Sequence, residues 1–199
     1  MRILVACEYS GRVREAFRAK GHEAWSCDLL DSEDNSEWHY KGDCFDLINN
    51  QKWDLMIVHP PCTYLASSGL HWNKRVQGRD KLTEEALEFV ESLLNCNIPK
   101  IALENPIGCI STRIKKQDQI IQPYDFGEDA SKKTCLWLKN LPLLKANAER
   151  FPPRIVNGKE RWSNQYDSGQ NATTGAKDRW KNRSRTYQGI ANAMAAQWG

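Results

Sequence analysis

Two residues of this 199-residue chain have the type and setting for covalent chemistry. Cys62 follows an apolar run and two prolines in "DLMIVHPPCTYLASSG", which sets a thiol on a rigid turn just beyond a buried strand. Glu104 follows "IAL" and precedes Asn105 and Pro106, so a carboxyl group stands at another buried strand end. A thiol with its ordinary pKa of about 8.5 is only a few per cent ionised at neutral pH, so basic neighbours are needed to activate it. Burial should raise the pKa of Glu104 until it holds or shares a proton. A nucleophilic thiol beside a proton-handling carboxyl suits addition to an electron-poor ring, whose nitrogen is protonated as sulfur adds. The plainer alternative makes Cys62 a packed small hydrophobe and Glu104 a capping acid.

Short apolar runs alternating with helical patterns must position these groups. "RILVAC" reads as a buried strand, "GRVREAFRAKG" as a helix closed by Gly21, and "HEAWSCDL" and "DLMIVH" as two more strands. In "KLTEEALEFVESLLNC" the residues Leu82, Ala86, Phe89, Val90, Leu93 and Leu94 share one helical face. "IPKIALENP" is a strand stopped by Pro106, "SKKTCLWLKN" a late strand, and "SRTYQGIANAMAAQW" a closing helix with Ser184 as N-cap. Such alternation implies an α/β fold: a mostly parallel sheet with helices on both faces.

Ligands on such sheets bind beyond the carboxyl ends of the strands. Ser10 and Gly11 in "CEYSG" would let a ligand approach the backbone where the first helix begins. Asp28 in "CDLL" can accept hydrogen bonds from ribose hydroxyls, and Asp43 in "GDC" from an exocyclic amine. Together these suit a nucleoside-containing cofactor. Neither a triphosphate P-loop nor a G-x-G-x-x-G is present.

Composition narrows the class. Hydrophobic residues make up 40% of the chain and no run is long enough to cross a membrane. The seven cysteines form no C-x-x-C pair, which argues against a disulfide framework or a zinc site and fits a reducing cytoplasm. The net charge of +3 is unevenly spread: residues 150–185 hold nine basic against three acidic residues, +6, leaving −3 elsewhere. Trp162, Tyr166, Trp180 and Tyr187 interleave with those cations. Positive charge answers phosphates and aromatic faces stack on unpaired bases; the alternative is a solvated loop with anchoring tryptophans.

The order of motifs resembles that of the C5-cytosine DNA methyltransferases, in a small and divergent form. The resemblance covers most of residues 2–140 and then 184–198. It implies a Rossmann-like fold that binds S-adenosylmethionine (SAM) or a modified analogue, and a DNA partner whose cytosine is flipped out of its stack. "HPPC" matches the family's nucleophile motif, giving Cys62 the attack on C6. "ALENPIG" matches the Glu-Asn-Val segment, giving Glu104 the contact to N3 and Asn105 a supporting part. Cofactor contacts then fall to Cys7, Glu8, Ser10, Gly11, Asp28, Leu29, Asp43, Cys44, Pro60 and Leu82. Asn192 and Ala193, in "YQGIANAMA", would complete the pocket beside the first strand.

Several positions depart from the family's pattern. Glu8 and Ser10 stand where the first motif has glycines, His59 replaces the glycine before the prolines, and Thr63 replaces the glutamine after Cys62. The usual Gln-x-Arg-x-Arg becomes "SKKTC", which assigns the first arginine's part to Lys133. Residues 1–140 are thus expected to form the catalytic core and 184–199 a helix completing it. Residues 141–183 would be a short basic region replacing a full recognition domain. Ser67, Ser68, Arg75, Arg79, Arg161, Trp162, Arg179 and Arg183 are the expected DNA contacts. The expected setting is a monomer in the cytoplasm of a bacterial or phage-infected cell, in restriction-modification or phage genome modification. Single-stranded DNA, a free cytidine nucleotide, or DNA binding without catalysis are the alternatives.

Overall fold

The computed structural model describes residues 1–172 and 179–199, with backbone only at 179, 180 and 182. The chain runs β1 (Arg2–Ala6), α1 (Arg12–Arg18), β2 (Glu23–Asp28), β3 (His39–Lys41), α2 (Cys44–Asn50), β4 (Leu55–Val58), α3 (Ser67–Leu70) and α4 (Arg79–Asn95). It continues through β5 (Lys100–Pro106), α5 (Ile110–Arg113), β6 (Gln119–Ile121), β7 (Thr134–Lys139), β8 (Arg154–Val156), β9 (Lys159–Arg161), α6 (Arg179–Ser184) and α7 (Gln188–Trp198).

Seven strands form one sheet in the order β3-β2-β1-β4-β5-β7-β6, and β8-β9 is a separate hairpin. Pairings from β3 to β5 are parallel, whereas β7 runs antiparallel to β5 and β6. The expected α/β, Rossmann-like sheet is therefore present, with the late strand "TCLWLK" reversed within it.

Side chains on each strand alternate between two cores, as period-2 geometry requires. Leu4, Ala6, Met56, Val58, Ile101 and Leu103 pack with Leu47 of α2 and Leu87, Val90 and Leu93 of α4. Ile3, Val5, Leu55, Ile57 and Ala102 pack with Val13 and Phe17 of α1 and Ile190 and Met194 of α7. Because both faces are covered, β1, β4 and β5 read as continuous apolar runs. Burying one such Val, Leu or Ile is worth about 1.5–3 kcal/mol.

Two helices differ from expectation. α4 starts at Arg79 and buries Thr83, Leu87, Val90 and Leu93, leaving Leu82 39% exposed. The i, i+4, i+7 row beginning at Thr83 wins because its hydroxyl has a partner, donating to the Tyr64 carbonyl at 3.1 Å. The closing helix is broken: Ser184 ends α6, its hydroxyl donating to the Lys181 carbonyl at 2.9 Å, and α7 begins at Gln188. In place of a serine cap, the Glu128 carboxylate accepts from the Gly189 N–H at 2.7 Å.

Arg14 is wholly buried, an unusual place for a cation. Its guanidinium donates to Ser26 Oγ (2.7 Å), Glu15 Oε1 (2.9 Å) and the Asp34 carboxylate, tying α1 to β2 and to the loop before β3. Gly11 makes this possible. Its φ of +70° opens the turn, and a Cβ there would lie 2.4 Å from Arg14 Nη2. Arg14→Ala should cost about 3 kcal/mol of stability in urea denaturation, because buried hydrogen-bonding partners are left behind. A loss under about 0.5 kcal/mol would show that the network contributes nothing net.

Candidate active site

Strand register brings the chemical groups together. Val58 of β4 pairs with Leu103 of β5, so the next step along each chain sets His59 beside Glu104 and Pro60 beside Asn105. His59 Nδ1 lies 2.8 Å from Glu104 Oε2, and Asn105 Nδ2 donates to the Pro60 carbonyl at 2.7 Å. Asn105 thus fixes the proline turn that carries Cys62. The Cys62 carbonyl accepts from Leu65 N (3.1 Å) and Ala66 N (2.9 Å), closing a tight turn with the residue on its exposed side.

That turn is stitched to the end of β5. Cys109 N donates to Leu65 O and Ser67 N to Ile107 O, both at 2.9 Å. A Cβ on Gly108 would sit 1.9 Å from the Leu65 carbonyl oxygen, so only glycine fits there. Arg79 adds a third tie, donating to the Thr63 carbonyl at 2.9 Å with its guanidinium 4.7 Å from the centre of the Tyr64 ring.

Electrostatics correct the expectation for Glu104. Burial alone would raise its pKa, but Lys132, the His59 hydrogen bond and charge, and Thr134 hold it down to about 2. It is a carboxylate, not a proton-holding acid. For Cys62, the protein packed around its thiol raises the pKa, Lys132 lowers it, Glu104 raises it and Arg183 lowers it; the net direction is up. Glu104, Lys132, Thr134, Thr186, Tyr187 and Ile190 line a narrow crevice beside the pair. A separate cleft of about 230 Å³, bordered by Ile120, Phe126, Leu144 and Arg150, shares no residue with it.

The cation is Lys132, not Lys133. Lys132 shares the side of Thr134, two residues on, whereas Lys133 alternates outward and is exposed. Lys132 Nζ also donates to the Arg183 carbonyl at 3.0 Å, joining this corner to α6. Sequence reasoning missed His59, Lys132 and Thr134 as site members. The signal for His59 was its replacement of a glycine directly before the prolines.

Beyond β1 and β2 the outcome is mixed. The start of α1 is not open to a ligand, because the wholly buried Glu8 carboxylate accepts from Val13 N (2.7 Å), Arg14 N (3.2 Å) and Ser10 Oγ (3.3 Å). Burial raises the pKa of Glu8, partly offset by His59, these backbone bonds and Arg14. Asp28 ends β2 with Oδ1 accepting from Leu30 N at 3.0 Å, and burial raises its pKa too. Leu29 beside it is 73% exposed. Asp43 is exposed and caps α2, accepting from Phe45 N at 2.9 Å. Cys7 adopts a left-handed φ of 57°, and its hydrogen bond to Cys44 and its burial push its thiol pKa well up. Leu82 lies on the open side of α4. Asn192 faces solvent and accepts from Gln188, while Ala193 is fully buried in the core against α1.

The expected nucleic-acid contacts also divide. Ser67 and Ser68 are exposed at the start of α3, and Arg75 is exposed 5.7 Å from the centre of the Trp72 ring. Arg79 is a strut of the Cys62 turn. Trp162 is 5% exposed and stacks on Tyr124 at 4.0 Å, so it anchors the hairpin and presents no face for a base. Arg161 is bound to the Glu160 and Asp167 carbonyls at 2.8 and 3.3 Å. Arg183 is exposed and close enough to act on the Cys62 thiol. The Arg179 side chain lies outside the described residues. Among the described residues, no helix is long and apolar enough to cross a membrane.

No protein-family model matches the chain, and no curated protein matches it. Solved structures resemble it at low identity. One is described as a DNA modification methyltransferase encoded within an E. coli prophage: 12% identity, 79% of this chain and 53% of that one, TM-score 0.46. Another is an rRNA methylase from Escherichia coli: 12% identity, 69% and 55% covered, TM-score 0.40. A third is a mutant DNMT2 of Spodoptera frugiperda: 16% identity, 80% and 57% covered, TM-score 0.42. The chain spans little more than half the length of each.

Two outcomes test this geometry. Gly108→Ala should lose about 1–3 kcal/mol in urea denaturation and speed alkylation of Cys62, as the Leu65 carbonyl is forced aside. Unchanged stability and alkylation would refute the stitch. Because Glu104 is held below its ordinary 4.5, its ionisation stabilises the fold above that pH, and the contribution is lost as pH falls toward 2. The stability difference between wild type and Glu104→Gln should therefore narrow by roughly 3 kcal/mol over that interval; a flat difference would contradict the assignment.

Proposed function

We propose that the chain is a SAM-dependent methyltransferase that modifies C5 of cytosine in DNA through a covalent Cys62–C6 adduct. The observation that carries this reading is the thiol of an exposed residue, Cys62, on the Pro-Pro turn after β4, beside a buried carboxylate at the end of β5 ringed by Lys132, His59 and Thr134. A protein that only bound DNA would need neither group.

The residues beyond β1 and β2 fit a nucleoside donor without phosphates. Glu8 already fills the start of α1 with negative charge, which a phosphate would have to displace. Asp28, with the exposed apolar Leu29 next to it, suits ribose hydroxyls and the face of an adenine, and Cys7 borders the same strand ends. Such a donor, when bound, would supply an electrophilic methyl group to C5 and leave as the neutral thioether once its S–CH3 bond has broken.

The chain's own residues do the rest. With the thiol pKa raised, Cys62 needs its proton drawn off as the ring arrives, and Lys132 and Arg183 favour the thiolate. Its electron pair forms the S–C6 bond, and the C5–C6 π pair shifts into the ring as N3 takes up the proton given up by the thiol, carried across by water. Glu104, as a carboxylate, accepts hydrogen bonds from the protonated N3 edge, so its charge is aimed where positive charge develops. Once C5 carries the methyl group, loss of the C5 proton to a base, through water, expels sulfur and restores the double bond as N3 gives its proton back. Asn105 keeps the turn in line while this happens. In this reading residues 141–183 serve as a short recognition region, and the base reaches Cys62 by leaving its stack, at a cost of a few kcal/mol.

A second reading, favoured by the ion pairs of the hairpin, keeps the chemistry and changes the substrate. Arg150 pairs with Glu160 at 2.8 Å and Arg154 with Asp167 at 2.5 Å, which leaves less free charge for a duplex backbone. Single-stranded DNA or a free cytidine nucleotide fits that balance.

DNA carrying 5-fluorocytosine, incubated with SAM, should trap a covalent adduct that Cys62→Ala abolishes and Glu104→Gln slows by about a hundredfold or more. Adduct surviving Cys62→Ala would overturn the nucleophile. Mass spectrometry of duplex, single-stranded DNA and dCMP after incubation separates the two substrate readings, and a methyl group found only on dCMP would remove DNA as substrate.

A further inference from the structure

His59 has a second nitrogen that the chemistry above does not use. Its side chain is 8% exposed, with Nδ1 held by Glu104, and Nε2 is buried with no hydrogen-bond partner among the described residues. Leaving such a nitrogen unsatisfied costs stability, which a bound ligand recovers by supplying the partner.

The surroundings say which ligand. The backbone N–H of His59 donates to the Ala6 carbonyl at 3.0 Å, so the residue stands directly beside the end of β1. The charged groups acting on it come from three elements. Glu104 lies on β5, Glu8 on the turn after β1, and Asp28 at the end of β2. Lys132, before β7, acts on Glu104. Both Glu8 oxygens are engaged at the start of α1, and Asp28 Oδ1 by Leu30 N, so neither acid satisfies the ring. The ring therefore stands between the carboxylate of the pyrimidine crevice, held at Nδ1, and the two acids at the strand ends assigned above to the methyl donor.

We infer that His59 is a positioning residue coupling the two substrates: Nδ1 orients Glu104 toward the pyrimidine while Nε2 hydrogen-bonds a polar atom of the donor. Each ligand then fixes the ring for the other, and linkage requires the effect to be reciprocal. The inference rests on the donor assignment made under the proposed function.

S-adenosylhomocysteine is the probe, since it has no methyl group to transfer. Imidazole nitrogen NMR of the full, 15N-histidine-labelled chain should show the Nε2 resonance of His59 moving on addition of the probe, with His22 and His71 unmoved. By calorimetry, a cytosine-containing oligonucleotide should tighten probe binding at least about fivefold in wild type and leave it unchanged in His59→Gln. His59→Phe serves as the variant that can satisfy neither side. If the probe binds without moving the His59 resonances, or if His59→Gln keeps the wild-type coupling, the inference fails and the donor assignment stands. If the probe does not bind wild type at all, the donor assignment fails and takes the inference with it.

Discussion

Everything in the site depends on the parallel pairing of β4 with β5. Once Val58 is opposite Leu103, backbone geometry alone makes His59 a neighbour of Glu104 and Pro60 a neighbour of Asn105. The two strands are buried on both faces, and a shift by one residue would turn every apolar side chain to the wrong side. Register is therefore enforced by the core, worth tens of kcal/mol in gross burial, and not by the few polar bonds of the site. A rigid sheet end can hold a carboxylate in an ionised state that burial by itself would forbid.

The sheet was legible because its strands are short apolar runs with turn residues between them, and the same runs put Cys62 and Glu104 just past or at the ends of neighbouring strands. What could not be read was which of two adjacent lysines points inward. "SKKTC" offers Lys132 and Lys133 equally, and only the phase of β7, set by Thr134 facing Glu104, selects the first. The sign of the Glu104 shift was missed for the same reason: burial is visible in sequence, whereas cations brought in from other strands are not. The closing helix begins three residues later than the Ser184 cap suggested, with Tyr187 in the cap position, and α7 turns Asn192 to solvent and Ala193 into the core. Trp162 looked like a base-stacking residue in a basic segment, but an aromatic flanked by loop residues is as readily an anchor, here on Tyr124.

Glu8 illustrates how a single departure alters a familiar arrangement. Where a glycine would leave the first turn of α1 bare, its carboxylate folds back onto that turn's own N–H groups. The turn is thereby satisfied without any ligand, and Arg14, one of its donors, is free to spend its guanidinium on β2 and the loop before β3. Anion binding at this end has been exchanged for internal bracing.

The hairpin and Lys132 are fixed to one strut. Asn164, just beyond the Trp162 anchor, exchanges two hydrogen bonds with the backbone of Ser131, at 3.0 and 2.9 Å, and Ser131 is the residue before Lys132. A displacement of the hairpin would therefore reach, through one peptide link, the residue whose ammonium group acts on both the sulfur and the carboxylate.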